Sequence, residues 1–158
     1  MGSLLVITPV EKLQGAIVEH VRKSRGQKGV YVSLNKTQAS TAEMLSEGGI
    51  DTNQLFFIDC VTTTPTNEDV LHIKPDDLEM LGAAIRAFLE DIGGERFVAI
   101  DALSTLLIYN SENAVAKFVK EVSSHASRQG VTVLAFSPQT KGEELLEKIF
   151  NFFDTVEK

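Results

Sequence analysis

The sequence alternates between short apolar runs and longer segments with helical periodicity, and this alternation constrains the fold more than any other feature. Five apolar runs have the length of strands, and between them apolar residues recur every three or four positions. The runs cover residues 3–8, 30–34, 54–59, 97–100 and 131–136, and the helical segments cover 11–24, 37–46, 76–92, 111–129 and 142–150. Strand–helix–strand units connect by right-handed crossovers, so we expect an α/β fold: a three-layer αβα sandwich with a mainly parallel five-stranded sheet.

The ends of several predicted elements carry residues that typically start or stop a helix. Thr37 and Ser111 each precede a helical segment and can cap it through the side-chain oxygen. Gly130 follows the longest helical segment and is typical of a helix end. Residues 152–156 are compatible with either a last strand or a tail.

Length, charge and cysteine content restrict the class of protein. The 158 residues suit a single domain, 1–158. The net charge is -7 and no basic cluster is longer than Arg22-Lys23, which argues against nucleic-acid binding. Cys60 is the only cysteine, so an internal disulfide and a cysteine-based metal site are excluded. No apolar run approaches the roughly 18 residues of a membrane span. We expect a cytoplasmic protein.

Polar residues follow the ends of several predicted strands. Asp101 comes directly after the apolar run 97–100, and open α/β sheets bind their ligands at the carboxyl ends of strands. Because these ends lie at one edge of a parallel sheet, Thr8, Ser104 and Ser137 are the other candidates for a small polar site around Asp101. The alternative is that these side chains cap helices and bind loop backbone, and the sequence leaves both interpretations open.

The segment 98–110, VAIDALSTLLIYN, resembles the Walker B region of RecA/KaiC-type ATPases, where an apolar strand ends in an aspartate. The apolar segments LLVITP, GVYVSLN, LFFIDC and VTVLAFSP are similar to the family's other strands, in the same order along the chain. The resemblance implies a RecA-like strand order, 5-1-4-3-2, in which the Asp101 strand lies beside the first strand. It also makes Asp101 the match for the family's magnesium-linked aspartate.

The chain departs from that family at both of the places that perform its chemistry. A phosphate-binding loop needs G-x-x-x-x-G-K-[ST] after the first strand, where residues 8–15 read TPVEKLQG. Pro9 has no N–H to donate, and Glu11 would repel phosphate. The family's catalytic glutamates follow the second strand, where Asn35 and Lys36 stand.

These departures predict a degenerate family member that lacks the Walker A motif. Its expected role is that of a non-catalytic regulatory or protein-interaction module, such as a signalling component, with no catalytic residue, metal or cofactor. Asp101, Ser104, Thr8 and Ser137 would then be degenerate nucleotide-site remnants. The alternative is a nucleotide-binding protein or ATPase that binds Mg-ATP through a non-standard phosphate loop.

An apolar run follows Asp101 and has two interpretations. In RecA-like proteins neighbouring subunits meet near the nucleotide site, so the run is a candidate interface with a protein partner or within a homo-oligomer, together with the long 60–75 loop. It consists of Leu106, Leu107, Ile108 and Tyr109. In the other interpretation it continues into the core beneath the helix that starts near Ser111. The long loop is itself either functional or a surface excursion.

Three further constellations have simpler explanations than a functional site. His72 with Asp76 and Asp77 could hold a metal, but acids at that place are more typical of a helix start. No histidine is placed to activate Cys60, so we expect a buried thiol. Asp59 ends a strand as in phosphoacceptor receiver domains, but the acidic pair and the lysine that such domains need are missing.

Overall fold

A computed structural model gives the fold of residues 2–62, 70–139 and 147–158. Its strands are β1 (Ser3–Thr8), β2 (Lys28–Ser33), β3 (Leu55–Asp59), β4 (Leu71–His72), β5 (Arg96–Ile100), β6 (Thr132–Pro138) and β7 (Thr155–Glu157). Its helices are α1 (Val10–Lys23), α2 (Gln38–Glu47), α3 (Leu78–Asp91), α4 (Leu103–Tyr109) and α5 (Glu112–Gln129). Short 3-10 turns lie at Thr52–Gln54 and Phe150–Phe152.

The strands form one parallel sheet in the order β4-β3-β2-β5-β6-β1-β7. The predicted α/β class and parallel sheet are confirmed. The predicted count of five strands is wrong for the part of the chain that the structure describes, because the edge strands β4 and β7 were not counted. The predicted order is also wrong for the strands to which it was applied. The Asp101 strand, β5, lies between β2 and β6, and β6 separates it from β1.

The wrong order has an identifiable cause. If β3 and β4 are set aside, the other strands numbered along the chain lie in the order 5-1-4-3-2, as β7-β1-β6-β5-β2. The prediction gave one of those numbers to β3, which lies outside this block, and none to β7. A three-residue strand has too little periodicity to be recognised in a sequence, and strand neighbours are set by pairing that the sequence does not print.

Helices cover both faces of the sheet, and each face has its own apolar core. Helices α3, α4 and α5 pack on one face and α1 and α2 on the other. Along β2 the side chains alternate between the two cores, so that Val30 and Val32 face α3 and α5 while Tyr31 faces α1 and α2. A central strand buried on both faces explains why the apolar runs in the sequence are continuous rather than alternating.

The helix ends follow the local sequence signals. The Thr37 hydroxyl accepts a hydrogen bond from the Ser40 N–H at 3.3 Å, and the Ser111 hydroxyl accepts one from Ala114 at 3.2 Å. Gly130 ends α5 in the left-handed conformation, with φ of 68°. These three predictions are confirmed.

Three helical segments differ from the predicted bounds. Helix α3 starts at Leu78 because the Asp77 carboxylate caps it, accepting the Met80 N–H at 3.0 Å. Residues 103–109 form the separate helix α4, which was not predicted. Most of the predicted helix 142–150 lies outside the described residues. Residues 147–149, which are described, are helical. No helix in the described part of the chain is long and apolar enough to cross a membrane.

Gly29 in β2 is required by its neighbour. A Cβ at this position would overlap the ring of Phe97, its partner on β5, and that ring is fully buried. We expect Gly29→Ala to lower the free energy of unfolding by about 1–3 kcal/mol, the usual cost of overpacking a core. Urea denaturation monitored by circular dichroism measures this difference.

Gly15 provides the matched control, because a Cβ there meets no atom within 4 Å on the surface of α1. Gly15→Ala should leave the stability unchanged or raise it by up to about 1 kcal/mol, since alanine is the better helix former. Equal stability of Gly29→Ala and the unchanged protein would show that the Phe97 ring moves aside without cost.

Candidate functional site

The Asp101 carboxylate is buried at the carboxyl end of β5, with both oxygens hydrogen-bonded to protein groups. Asp101 is only 3% exposed. Oδ1 accepts the backbone N–H groups of Leu34 at 2.6 Å and Asn35 at 3.2 Å. Oδ2 accepts the Tyr31 hydroxyl at 2.9 Å. All three donors come from β2 and the turn that follows it, so the carboxylate joins β5 to the β2–α2 connection.

Burial dominates the electrostatics of this pair. It raises the pKa of Asp101 to about 6, although the hydrogen bonds from Leu34, Tyr31 and Asn35 and the charge of Lys36 act in the opposite direction. Burial, followed by the charge of Asp101, raises the pKa of Tyr31 well above its ordinary value. Tyr31 therefore stays protonated and remains a donor to the carboxylate.

A second buried carboxylate, Asp59, lies at the end of β3 on the other side of β2. Its Oδ1 accepts the N–H groups of Val61 at 2.8 Å and Thr62 at 2.9 Å. Its Oδ2 accepts the Gln38 N–H at 3.0 Å and the Thr62 hydroxyl at 2.6 Å. Burial raises the pKa of Asp59, but these hydrogen bonds outweigh it, and the net pKa lies below the ordinary value. Asp59 thus holds the first turn of α2 against β3.

His72 and Cys60 lie close to Asp59 but do not form a reactive site with it. The His72 Nδ1 is 3.9 Å from the Asp59 Oδ2, and within the described residues neither ring nitrogen has a hydrogen-bond partner. Burial, then the charges of Asp59 and Asp101, raises the pKa of the Cys60 thiol to about 12, so it stays protonated at neutral pH. The expectation of a buried Cys60 is confirmed.

The described residues contain no group of three or more histidine, cysteine or acidic side chains that could hold a metal ion. Of the acids considered with His72, Asp77 caps α3 through its Oδ1. The capping interpretation of Asp77 is therefore confirmed.

The other predicted site residues lie near the same edge of the sheet but do not contact Asp101 through hydrogen bonds among the described residues. Thr8 ends β1, and β6 lies between it and β5, which puts the two backbones about 10 Å apart. Ser137 in β6 is fully buried, and its hydroxyl donates a long hydrogen bond of 3.4 Å to the Pro138 carbonyl. Ser104 is half-buried in the first turn of α4.

The connection between β1 and α1 is very short. Strand β1 ends at Thr8 and helix α1 starts at Val10, so Pro9 alone joins them. The Pro9 carbonyl accepts the Lys12 N–H at 2.9 Å, which closes the first turn of the helix. A loop that wraps around a phosphate has no room between these two elements.

The apolar run 106–109 divides between core and surface. Leu106 is fully buried and Leu107 packs partly against the same core. Ile108 and Tyr109 are 74% and 53% exposed. Within the run 106–109, only these last two present most of their side chains to solvent. Residues 63–69 of the 60–75 loop, which was predicted to join this interface, lie outside the described residues.

The roles of Tyr31 and Asp59 were not predicted from the sequence. Both had a usable signal. A tyrosine inside a strand buried on both faces needs a partner for its hydroxyl, and Asp59 follows an apolar strand just as Asp101 does. What the sequence did not show is that these side chains bind backbone N–H groups of the neighbouring connection.

Comparison with known proteins places the chain in a family. A family model described as "Family of unknown function (DUF7504)" matches residues 2–156. The chain belongs to this family. No curated protein matches the sequence.

The fold is similar to that of a solved structure. The KaiC-like protein PH0186 from the hyperthermophilic archaeon Pyrococcus horikoshii OT3 superposes with a TM-score of 0.62 at 11% sequence identity. The match covers 87% of this chain and 61% of that one, so this member of the DUF7504 family spans about three fifths of the length of PH0186. The likeness shows that the domain has a RecA/KaiC-like fold.

The raised pKa of Asp101 predicts a pH-dependent stability. Because the pKa is about 6 in the folded protein against an ordinary 3.8, the folded state holds this proton more tightly than the unfolded state. The resulting stabilisation is present below pH 3.8 and is lost as the pH rises through 6. Since one pKa unit corresponds to about 1.4 kcal/mol, the whole loss is about 3 kcal/mol, of which about 2–2.5 kcal/mol falls between pH 4 and pH 7.

Asp101→Asn isolates this contribution. The asparagine oxygen can accept the Leu34 and Asn35 N–H groups without a charge, and Asp59 titrates in both proteins, so its effect cancels. We expect the free energy of unfolding of the unchanged protein, relative to Asp101→Asn, to fall by about 2–2.5 kcal/mol between pH 4 and pH 7. Urea denaturation at four pH values measures it, and parallel pH profiles would contradict the assignment.

Proposed function

We propose that this RecA/KaiC-like domain is a non-catalytic regulatory or protein-interaction module. The observation that carries the proposal is the use of both Asp101 oxygens by internal donors, the Leu34 and Asn35 N–H groups and the Tyr31 hydroxyl. A carboxylate that helps to hold a hydrated magnesium ion must leave an oxygen open toward the ion or its water. Asp101 instead occupies a closed pocket of protein donors.

The β1–α1 connection supports the same conclusion. With Pro9 alone between β1 and α1, the consecutive N–H groups that would surround a phosphate are missing, and Glu11 adds a negative charge in the first turn of α1. A carboxylate at this position repels the phosphate that the helix dipole would attract.

The residues after β2 have structural partners where the resembled ATPases have their catalytic glutamates. The Asn35 N–H donates to Asp101, and the Lys36 ammonium donates to the Gln14 side-chain oxygen at 3.1 Å. Neither side chain can activate a water as a carboxylate would. In this proposal Asp101 and the remnants Thr8, Ser104 and Ser137 support the fold and bind no cofactor.

A role in protein interaction is supported by helix α4, which exposes Ile108 and Tyr109 at the carboxyl edge of the sheet. Large apolar side chains that remain exposed on a folded domain often mark a binding surface. A signalling component would need such a surface and no chemistry of its own.

Thermal melting with and without millimolar Mg-ATP tests the proposal. A ligand at about 100 times its dissociation constant stabilises a protein by roughly 2.7 kcal/mol, which raises the midpoint of a domain of this size by roughly 5–10 °C. We expect no such rise. The measurement is made on the unchanged protein, on Asp101→Asn, and on Asp59→Asn as a control that removes a buried carboxylate from a different strand.

A magnesium-dependent rise that Asp101→Asn abolishes and Asp59→Asn retains would contradict the proposal. It would establish the alternative, a nucleotide-binding protein with a non-standard phosphate loop. If Mg-ATP changes the melting point of none of the three proteins, the result supports a domain that acts through its surface.

A further inference from the structure

Three exposed apolar side chains lie in the first turn of α3 and at the end of α4, toward the carboxyl edge of the sheet, and we call them the edge patch: Met80, Ile108 and Tyr109. They are 54%, 74% and 53% exposed. Met80 is in the first turn of α3, and the other two end α4. The Asn110 side-chain amide donates to the Pro75 carbonyl at 2.9 Å and so holds the end of α4 beside the start of α3.

The exposure of Ile108 and Tyr109 follows from the way in which α4 packs on the sheet. Leu103 and Leu106 of this short helix are fully buried against the sheet, and the Asn110 amide also binds the Leu106 carbonyl at 2.9 Å. A rotation of α4 that buried Ile108 or Tyr109 would expose these apolar leucine side chains to water, which is unfavourable. The helix therefore presents both side chains outward in the free domain.

Acidic side chains lie in the first turns of two helices that pack on the same face of the sheet as α4. Glu79 belongs to α3 and Glu112 to α5. Glu112 is paired with the Lys148 ammonium at 3.0 Å, whereas Glu79 makes no ion pair with the described residues. The acids that remain available beside the edge patch are therefore those at the start of α3.

The acids next to Met80 are available to a partner. The segment 74–80 contains Asp76, Asp77 and Glu79 against the single base Lys74. Asp77 caps α3, whereas Asp76 and Glu79 are exposed and make no ion pair with the described residues. An apolar centre with a negative rim is complementary to apolar side chains flanked by cations.

We infer that the edge patch binds a segment of a partner protein in which apolar side chains are flanked by lysine or arginine. The inference rests on the proposed function and specifies its partner. A second copy of this chain fits less well, because it would bring two acidic rims together in a protein whose net charge is already -7. The apolar side chains supply most of the affinity, and the rim supplies selectivity and sensitivity to salt.

The test uses the isotope-labelled chain and two synthetic amphipathic peptides of equal length, one of leucine and lysine and the other of leucine and glutamate. We expect the lysine peptide to shift the amide NMR signals of residues 76–80 and 106–110, and to bind several-fold more weakly in 0.5 M salt. The glutamate peptide should cause no saturable shift.

Two pairs of variants locate the site. Ile108→Ser with Tyr109→Ser should weaken the lysine peptide at least tenfold, whereas Val10→Ser, which removes another exposed apolar side chain from the opposite face of the sheet, should not. Asp76→Asn with Glu79→Gln should weaken it about threefold and reduce its salt dependence. Glu43→Gln with Glu47→Gln makes the same change of charge on α2 and should leave binding unchanged.

Equal effects of the matched variants, shifts outside the two segments, or equal binding of the glutamate peptide would overturn the inference. A concentration-dependent dimer in light scattering that Ile108→Ser with Tyr109→Ser abolishes would also overturn it, in favour of a second copy. The melting experiment with Mg-ATP tests the proposed function independently of the peptides. A rise in melting point with Mg-ATP contradicts that function whatever the peptides do, and absent peptide binding without such a rise removes only the inference.

Discussion

The hydrogen bonds of Asp101 determine how the carboxyl edge of the sheet is built. Its carboxylate accepts two consecutive backbone N–H groups, from Leu34 and Asn35, and so fixes the turn that leaves β2. At the other end of the same connection, Asp59 accepts the N–H of Gln38, the first residue of α2. Two carboxylates from the strands on either side of β2 therefore hold both ends of one connection. If either were removed, backbone donors would lose their partners in a buried place, which costs about 1–3 kcal/mol for each donor.

The ionised forms of the two carboxylates have opposite effects on stability, because their pKa values are shifted in opposite directions. Asp59 has enough hydrogen bonds to outweigh its burial and stays ionised at neutral pH, so it adds stability that is lost as the pH falls through its lowered pKa. Asp101 accepts three hydrogen bonds, which do not outweigh its burial, so its ionised form reduces stability above about pH 6. A buried carboxylate kept at a net cost is consistent with a role in specifying one geometry of the β2–α2 turn, as buried polar groups do in some other proteins.

How much the sequence predicted depended on the range of the interaction. The caps Thr37, Ser111 and Gly130 act within four residues and were identified correctly. The position of β5 between β2 and β6 depends on pairing between segments up to 68 residues apart (Lys28 with Arg96), which periodicity does not encode. The partners of Asp101 were missed for the same reason, because they are backbone groups of another strand's connection. The division of the apolar run 106–109 between core and surface depends on how α4 packs against β6, which is again a contact between distant segments.

Ala102 connects Asp101 to helix α4. It follows Asp101 directly and adopts the left-handed conformation, with φ of 58° and ψ of 61°, which costs roughly 1–2 kcal/mol for a residue other than glycine. The residue is buried, and its carbonyl accepts the Thr105 N–H at 2.8 Å to start α4. The direction of α4, and with it the orientation of Ile108 and Tyr109, is thus set one residue after the carboxylate that holds β5 to β2. Because internal donors bind both Asp101 oxygens, the residue that precedes this junction is itself fixed, so the start of α4 depends on the same hydrogen bonds that join β5 to β2.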